Sequence, residues 1–259
     1  MSEYQNIRIK KKFGQHFLRD KNIVRSIVNN VTIDQSSSIF EIGCGDGFLT
    51  REILKTNCAR LWVFEIDFEW ADYVKEQFGA DKRLTVFTEN ILDTDFSNFG
   101  KFEPWTLLAN LPYNVTFPIL YTLQRNIKLL KEGVVMVQEE VAQKIVKTGG
   151  RGYGYPSLFF QRYFHWKLLD KIPPESFFPA PKVYSRLLYF KPKVDIIPIP
   201  QEEKFWKFIK TCFRQPRRTL LNNLKQTHVD LSKIPEQTLT LRAQQMSMDD
   251  FLKIWDSIK

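Results

Sequence analysis

Short apolar runs alternate with amphipathic stretches through the first half of the chain. Residues 20–30 put Ile23 and Ile27, with Val24 and Val28, on one side at helical spacing. Residues 38–42 then read as a strand running into a glycine cluster, and 48–55 as a helix. Further strands are expected at 61–66, 84–87, 106–109 and 133–137, with helices at 70–78 and 116–125. Strict alternation of this kind predicts an α/β, Rossmann-like fold, an open parallel sheet covered by helices on both faces. Ligands in such sheets bind at the carboxyl ends of the strands.

Glycine and proline divide the chain. All 11 Gly lie at or before Gly154, and ten of the 13 Pro lie after it. The loop 147–154 carries four glycines and should approach an anion closely. Residues 192–200 contain three prolines and read as a linker. From Glu202 the pattern is helical to the C-terminus, with Lys207, Lys210, Arg214 and Arg218 spaced as one helix face. The expected organisation is a domain at 1–195 with a basic N-terminal arm, and a small helical domain at 196–259.

Composition narrows the class. Of 259 residues, 43% are hydrophobic and 14% aromatic, which is a folded chain rather than a disordered one. No apolar segment reads as a signal peptide or membrane span, so a cytoplasmic protein is expected. Three cysteines without CxxC spacing argue against a disulfide scaffold or zinc module.

The net charge of +9 is concentrated. Residues 1–30 carry seven Lys/Arg against two acids, and 204–225 carry seven Lys/Arg and no acid, so the remainder is net negative. Two basic segments interleaved with aromatic and amide residues point to a nucleic-acid partner.

Residues Gly43-Cys44-Gly45-Asp46-Gly47 sit where the first long strand meets its helix, and their glycines permit a tight turn against a ligand. Glu65 closes the next strand 22 residues after Gly43, a spacing at which a carboxylate accepts from ribose hydroxyls. A nucleoside-containing cofactor follows. The glycines alone do not separate NAD from S-adenosylmethionine. The end of the fourth strand, Asn110-Leu111-Pro112-Tyr113, favours the latter. An exocyclic adenine amine is a weak nucleophile because its lone pair is delocalised. Acceptors on both its N–H groups, the Asn110 side chain and the Leu111 carbonyl, push it toward a tetrahedral nitrogen. Pro112 constrains that backbone, and Tyr113 offers a ring for a base to stack on. This chemistry calls for no metal.

Together with these, Phe13-Gly14-Gln15-His16-Phe17-Leu18, the run from Phe177 to Val183 and the run from Phe213 to Leu220 resemble the ribosomal RNA adenine N6,N6-dimethyltransferase family over nearly the whole chain. The resemblance implies a class I S-adenosylmethionine-dependent methyltransferase fold with a small C-terminal helical domain. It implies dimethylation of two adjacent adenosines in the 3′-terminal hairpin loop of small-subunit rRNA, with a role in ribosome biogenesis. The related large-subunit enzymes of macrolide resistance, and a non-catalytic assembly or transcription factor on the same scaffold, are the competing readings.

By the same resemblance the cofactor is bordered by His16, Leu18, Gly43, Gly45, Glu65, Asn90 and Asn110, and Phe177 faces Tyr113 across the target base. The family commonly has Asn in place of His16 and Asp in place of Asn90. Phosphate contacts are expected from Lys10, Lys11, Lys12, Arg151, Arg214, Arg217 and Arg218, with the small ribosomal subunit as partner and a monomeric enzyme.

Overall fold

The computed structural model describes residues 7, 9, 10 and 13–259; Lys11 and Lys12 lie outside them. The chain divides into two compact units. The first comprises Met1–Ala142 and His165–Pro192, the second Gln143–Phe164 and Lys193–Lys259.

In the first unit, a seven-stranded sheet is built from β2 (Ser38–Ile42), β3 (Arg60–Phe64), β4 (Leu84–Phe87), β5 (Trp105–Asn110), β6 (Leu130–Gln138), β7 (Phe164–Ile172) and β9 (Ser185–Pro192). Its order is β4-β3-β2-β5-β6-β9-β7. The five strands from β4 to β6 run parallel, as the alternating pattern predicts. Every residue of β2 is buried, as befits a central parallel strand covered on both faces.

The sheet is not purely parallel, because β9 pairs antiparallel to β6 and, with β7, extends that side by two strands. The β7 sequence alternates polar and apolar residues over its first half, exposing His165 and Lys167, and then exposes Asp170 and Lys171 together. Such an edge pattern is weaker than the continuous apolar runs of the centre.

Helices α1 (Lys21–Asn29), α2 (Phe48–Leu54), α3 (Phe68–Phe78) and α4 (Thr116–Arg125) follow the strands. Asp20 caps α1 and Asp67 caps α3, each side chain accepting a backbone N–H of the first turn. One core joins Ile23, Val24 and Ile27 of α1 with Ile53, Val63, Leu108 and Met136. Around Phe40, by contrast, the core is aromatic: Trp62, Phe99 and Trp105 meet edge-on or tilted, with centroids 4.6–6.2 Å apart. Separately, β1 (Phe17–Leu18) pairs antiparallel with β8 (Phe177–Phe178), bringing two motifs 160 residues apart into register.

The second unit holds α6 (Tyr155–Tyr163), α7 (Glu202–Cys212), α8 (Leu220–Leu224), α9 (Glu236–Thr240) and α10 (Met248–Ile258), while α5 (Glu139–Val146) spans the division. Its aromatic core contains Phe205, Trp206, Phe208, Phe251 and Trp255. This unit differs from the expected 196–259. It also takes in residues 143–164, because α6 packs its aromatic face onto α7 through Phe159 and Trp206 at 4.9 Å.

Nor is 192–200 a free linker. Ile199 is buried, the Lys193 amide donates to the Tyr163 carbonyl at 2.9 Å, and Trp255 Nε1 donates to Pro200 O at 2.8 Å. No helix among the described residues is long and apolar enough to cross a membrane.

Candidate active site

The carboxyl ends of β2, β3 and β5 open into one cleft of about 360 Å³ in the first unit, within the size range of small-molecule sites. Gly43, Gly45, Glu65, Asn90, Asn110, Tyr113, His16 and Leu18 all line it, so the segments named by sequence converge.

The glycine turn has a steric cause. Gly43 and Gly45 take φ of +74° and +51°, the left-handed region. A Cβ on Gly45 would stand 2.7 Å from Phe17 Cε1, so only glycine lets β1 close against the loop.

Glu65 lies one residue past the end of β3 and is buried. Its Oε2 accepts the Gly45 amide at 3.0 Å and its Oε1 the Asp67 amide at 2.9 Å, which fixes the carboxylate and leaves lone pairs toward the cleft it lines. Burial pushes its pKa up, against the pull of those two amides. Glu41, near the end of β2, is buried and accepts from Thr50 Oγ1 at 2.7 Å, and burial pushes its pKa up to about 8. Asp46 is buried and ion-paired with Arg19. Burial, with Glu65 adjacent, drives the Cys44 thiol well above its ordinary pKa, so it is no thiolate nucleophile.

Carboxyl groups on the lining and an apolar wall that includes Ile66 and Ile91 suit a nucleoside that carries positive charge, as S-adenosylmethionine does. The residues present fit that group. Ile66, 49% exposed beside Glu65, escaped the sequence reading although an apolar residue directly after a strand-end acid is the signal for it.

Asn90 makes an Asx turn, its Oδ1 accepting the Leu92 amide at 3.1 Å while Nδ2 donates to Asp93 Oδ2 at 2.9 Å. Its side-chain oxygen therefore keeps one lone pair for a ligand.

At the end of β5, Asn110 Nδ2 donates to the His16 carbonyl at 3.1 Å. A carbonyl only accepts, so the amide orientation is forced, and Oδ1 is the end left to accept from a substrate. Pro112, with φ −59° and ψ 128°, carries the chain into the short turn Tyr113–Val115. Tyr113 Oη hydrogen-bonds Ser185 Oγ at 2.5 Å, and burial raises its pKa, so it is a stacking surface rather than a base. One ring face is stacked with His16, at 5.5 Å between centroids and 24° between planes. His16 Nδ1 bonds Pro179 O at 2.7 Å.

Phe177 is placed otherwise than the sequence suggests. Its ring is 4% exposed, belongs to the core with Leu18 and Ile27, and lies outside the cleft lining. Strand alternation explains this, since pairing of Leu18 with Phe177 turns both inward and leaves Phe178 outward, 61% exposed. Lys10 is also engaged, held by Asp67 Oδ1 at 2.5 Å and by Glu69, with its amide on Gln15 Oε1 at 2.8 Å. Those hydrogen bonds raise its pKa and tie Lys10 to the β3–α3 corner.

Within the second unit, Arg151, Arg214, Arg217 and Arg218 are exposed. Arg214 and Arg218 are not on the face of Lys207 and Lys210, because α7 ends at Cys212. Asn223, 93% buried, ties the following turn: its Oδ1 accepts the Gln215 amide at 3.0 Å and its Nδ2 donates to Gln215 O and Thr219 O at 3.2 Å. Pro216 within this stretch keeps it from continuing as a helix. The glycine loop is anchored by the Gly150 amide on Gln244 O at 3.1 Å.

A family model described as ribosomal RNA adenine dimethylase matches residues 6–259. Ribosomal RNA small subunit methyltransferase A of Chlorobium phaeobacteroides is 35% identical over 258 residues, spanning 99% of this chain and 94% of its own. Its namesake in Mycoplasma mobile is 38% identical over 226 residues, 87% and 86% of the two chains. Among solved structures, a dimethyladenosine transferase from Plasmodium falciparum has a TM-score of 0.77 at 24% identity, covering 92% of this chain and 96% of that one. The 23S rRNA methyltransferase ErmE has a TM-score of 0.73 at 19% identity, with 93% and 99% covered. At those identities the two structures speak for the fold alone.

Proposed function

From the premise that the chain belongs to the ribosomal RNA adenine dimethylase family, we propose that it dimethylates N6 of two adjacent adenosines in the 3′-terminal hairpin loop of small-subunit rRNA, with S-adenosylmethionine as methyl donor. S-adenosylmethionine, when bound, supplies an electrophilic methyl group on a sulfonium. Glu65 would hold its ribose, Gly43 and Gly45 would let the backbone pass beneath it, and Asn90 would accept from its adenine amino group.

The observation that carries this reading is the orientation of the Asn110 carboxamide. With Nδ2 committed to the His16 carbonyl, Oδ1 is presented as an acceptor at the mouth of the cofactor cleft. An adenine amine donating to Oδ1 and to the Leu111 carbonyl has its lone pair freed from the ring and directed at the methyl carbon. Tyr113 supports the extruded base by stacking, which requires the nucleotide to leave its own stack. Exposed Arg151, Arg214, Arg217 and Arg218 would meet rRNA phosphates. Residues 143–164 and 193–259 would then form an RNA-binding unit, and the remainder the catalytic one.

Undermethylated small ribosomal subunits incubated with labelled S-adenosylmethionine should yield labelled N6,N6-dimethyladenosine mapping to adjacent positions of the hairpin loop. No label in the small subunits, with label in large-subunit rRNA offered in a parallel incubation or in neither, would overturn the reading.

A further inference from the structure

We propose that Ser185 is a positioning residue of the methyl transfer, its buried hydroxyl fixing the Tyr113 ring on which the target adenine stacks. The inference rests on the reading above and extends it to a residue outside the cleft lining.

Ser185 is fully buried and does not line the cleft, yet its Oγ meets Tyr113 Oη at 2.5 Å. Sheet direction brings it there. Parallel strands end at the cleft, so a parallel β9 would present its last residue at that edge. Because β9 runs antiparallel to β6, its first residue arrives there instead, with Ser185 paired to Gln138 at the end of β6. The Glu139 amide donates to Tyr184 O at 2.9 Å, which fixes the backbone directly before Ser185. On the other side of β6, Asn110 pairs with Met136, and the Leu111 amide donates to Met136 O at 3.1 Å. Root and tip of the tyrosine are thus held from the two strands that flank β6.

Each restraint removes a different freedom. Pro112, with φ −59°, and the donation of Thr116 Oγ1 to Pro112 O at 3.1 Å hold the main chain that carries the ring. His16 covers one ring face, but a stacked ring can still slide in its own plane. The bond to Ser185 holds the far end of the side chain and stops that slide. Burial keeps the phenol protonated, so the bond acts on geometry and not on proton transfer. A stacked adenine follows the ring beneath it, and a displaced ring carries the amine away from Asn110 Oδ1 and the Leu111 carbonyl. Misplacing a reacting group by about 1 Å costs up to about 10²-fold in rate.

Ser185→Ala and Tyr113→Phe delete the same hydrogen bond from its two ends, and the double variant closes a cycle. Single-turnover methylation of undermethylated small subunits at saturating S-adenosylmethionine should slow about tenfold in each single variant. The double variant should also be about tenfold slow, because the bond is lost only once, where independent effects would multiply to about 10²-fold. S-adenosylmethionine affinity of Ser185→Ala should stay within about threefold, since Ser185 lies off the cleft lining. A serine with a merely structural role would lower the unfolding midpoint without this non-additivity in rate.

A readout independent of turnover is the 19F relaxation of protein labelled with fluorotyrosine, in which the signal missing from Tyr113→Phe belongs to Tyr113. That ring should be fixed in the wild type and mobile in Ser185→Ala. A rate within twofold of wild type in either single variant, a double variant slowed by the product of the two, or unchanged Tyr113 relaxation overturns the assignment of Ser185 while the enzyme still methylates. Tyr113→Phe keeps the buried serine in place, so its rate decides the matter even where Ser185→Ala does not fold. Failure of the wild type to methylate adenosine in either rRNA overturns both this assignment and the function it rests on.

Discussion

Asn110 and His16, 94 positions apart in sequence, are joined by a 3.1 Å hydrogen bond from the Asn110 carboxamide to the His16 main-chain carbonyl. The bond links the end of β5 to the segment before β1 and decides which end of the amide faces a substrate. Asn110→Ala removes an acceptor that matters most as charge develops on nitrogen. Single-turnover methylation at saturating S-adenosylmethionine should drop about 10²-fold or more. A variant within threefold of wild type in rate contradicts the role given to Oδ1.

Glu41 gives the fold a pH dependence of definite sign. Its carboxyl is buried and its pKa is pushed up to about 8, so between the ordinary carboxylate range and pH 8 the native state binds a proton that the unfolded chain has released. That contribution is fully present below the unfolded pKa and is lost as pH rises to about 8. Glu41→Gln keeps an acceptor for Thr50 and removes the titration. Urea unfolding across pH 5–8 should show the wild type losing stability relative to the variant, with a slope of at most about 1.4 kcal/mol per pH unit.

Phe177 and Phe178 should behave oppositely despite being neighbours. Phe177→Ala opens a cavity among Leu18 and Ile27 and should cost about 3–5 kcal/mol of stability. Phe178→Ala, at an exposed position, should stay within about 0.5 kcal/mol. Denaturant midpoints of the two variants check the inward and outward turn of β8.

Charge reversal of Arg214, Arg217 and Arg218 together should weaken small-subunit binding and flatten its dependence on salt, leaving S-adenosylmethionine binding intact. Filter binding at several salt concentrations measures the slope. Unchanged subunit affinity would remove the arginine turn from the RNA interface.

Asn223 should act on the same surface without touching RNA. Its side chain closes three hydrogen bonds onto Gln215 and Thr219, so Asn223→Leu leaves the Gln215 amide without its acceptor, while the Gln215 and Thr219 carbonyls keep the Arg218 and Asn223 amides. A loss of about 1–3 kcal/mol in stability is expected, together with weaker subunit binding and an unchanged net charge of the arginine turn.

The sequence by itself determined the parallel half of the sheet and the loops at its carboxyl end. Short, mostly apolar runs such as 38–42 and 84–87 coincide with β2 and β4, and the apolar spacing of 116–125 with α4, because local pattern decides them. The glycine turn, Glu65 and Asn110 were legible for the same reason: each is read from neighbours a few residues away. The tertiary structure decided what depends on distant partners. Pairing of β1 with β8 sets which of Phe177 and Phe178 faces the core, a choice made by register and not by residue type. Lys10 is spent on Asp67, and 192–200 is packed rather than linking, because the carboxylate, Tyr163 and Trp255 that hold them come from elsewhere in the chain. Local charge and proline content carry no record of such partners, and the fold supplies them.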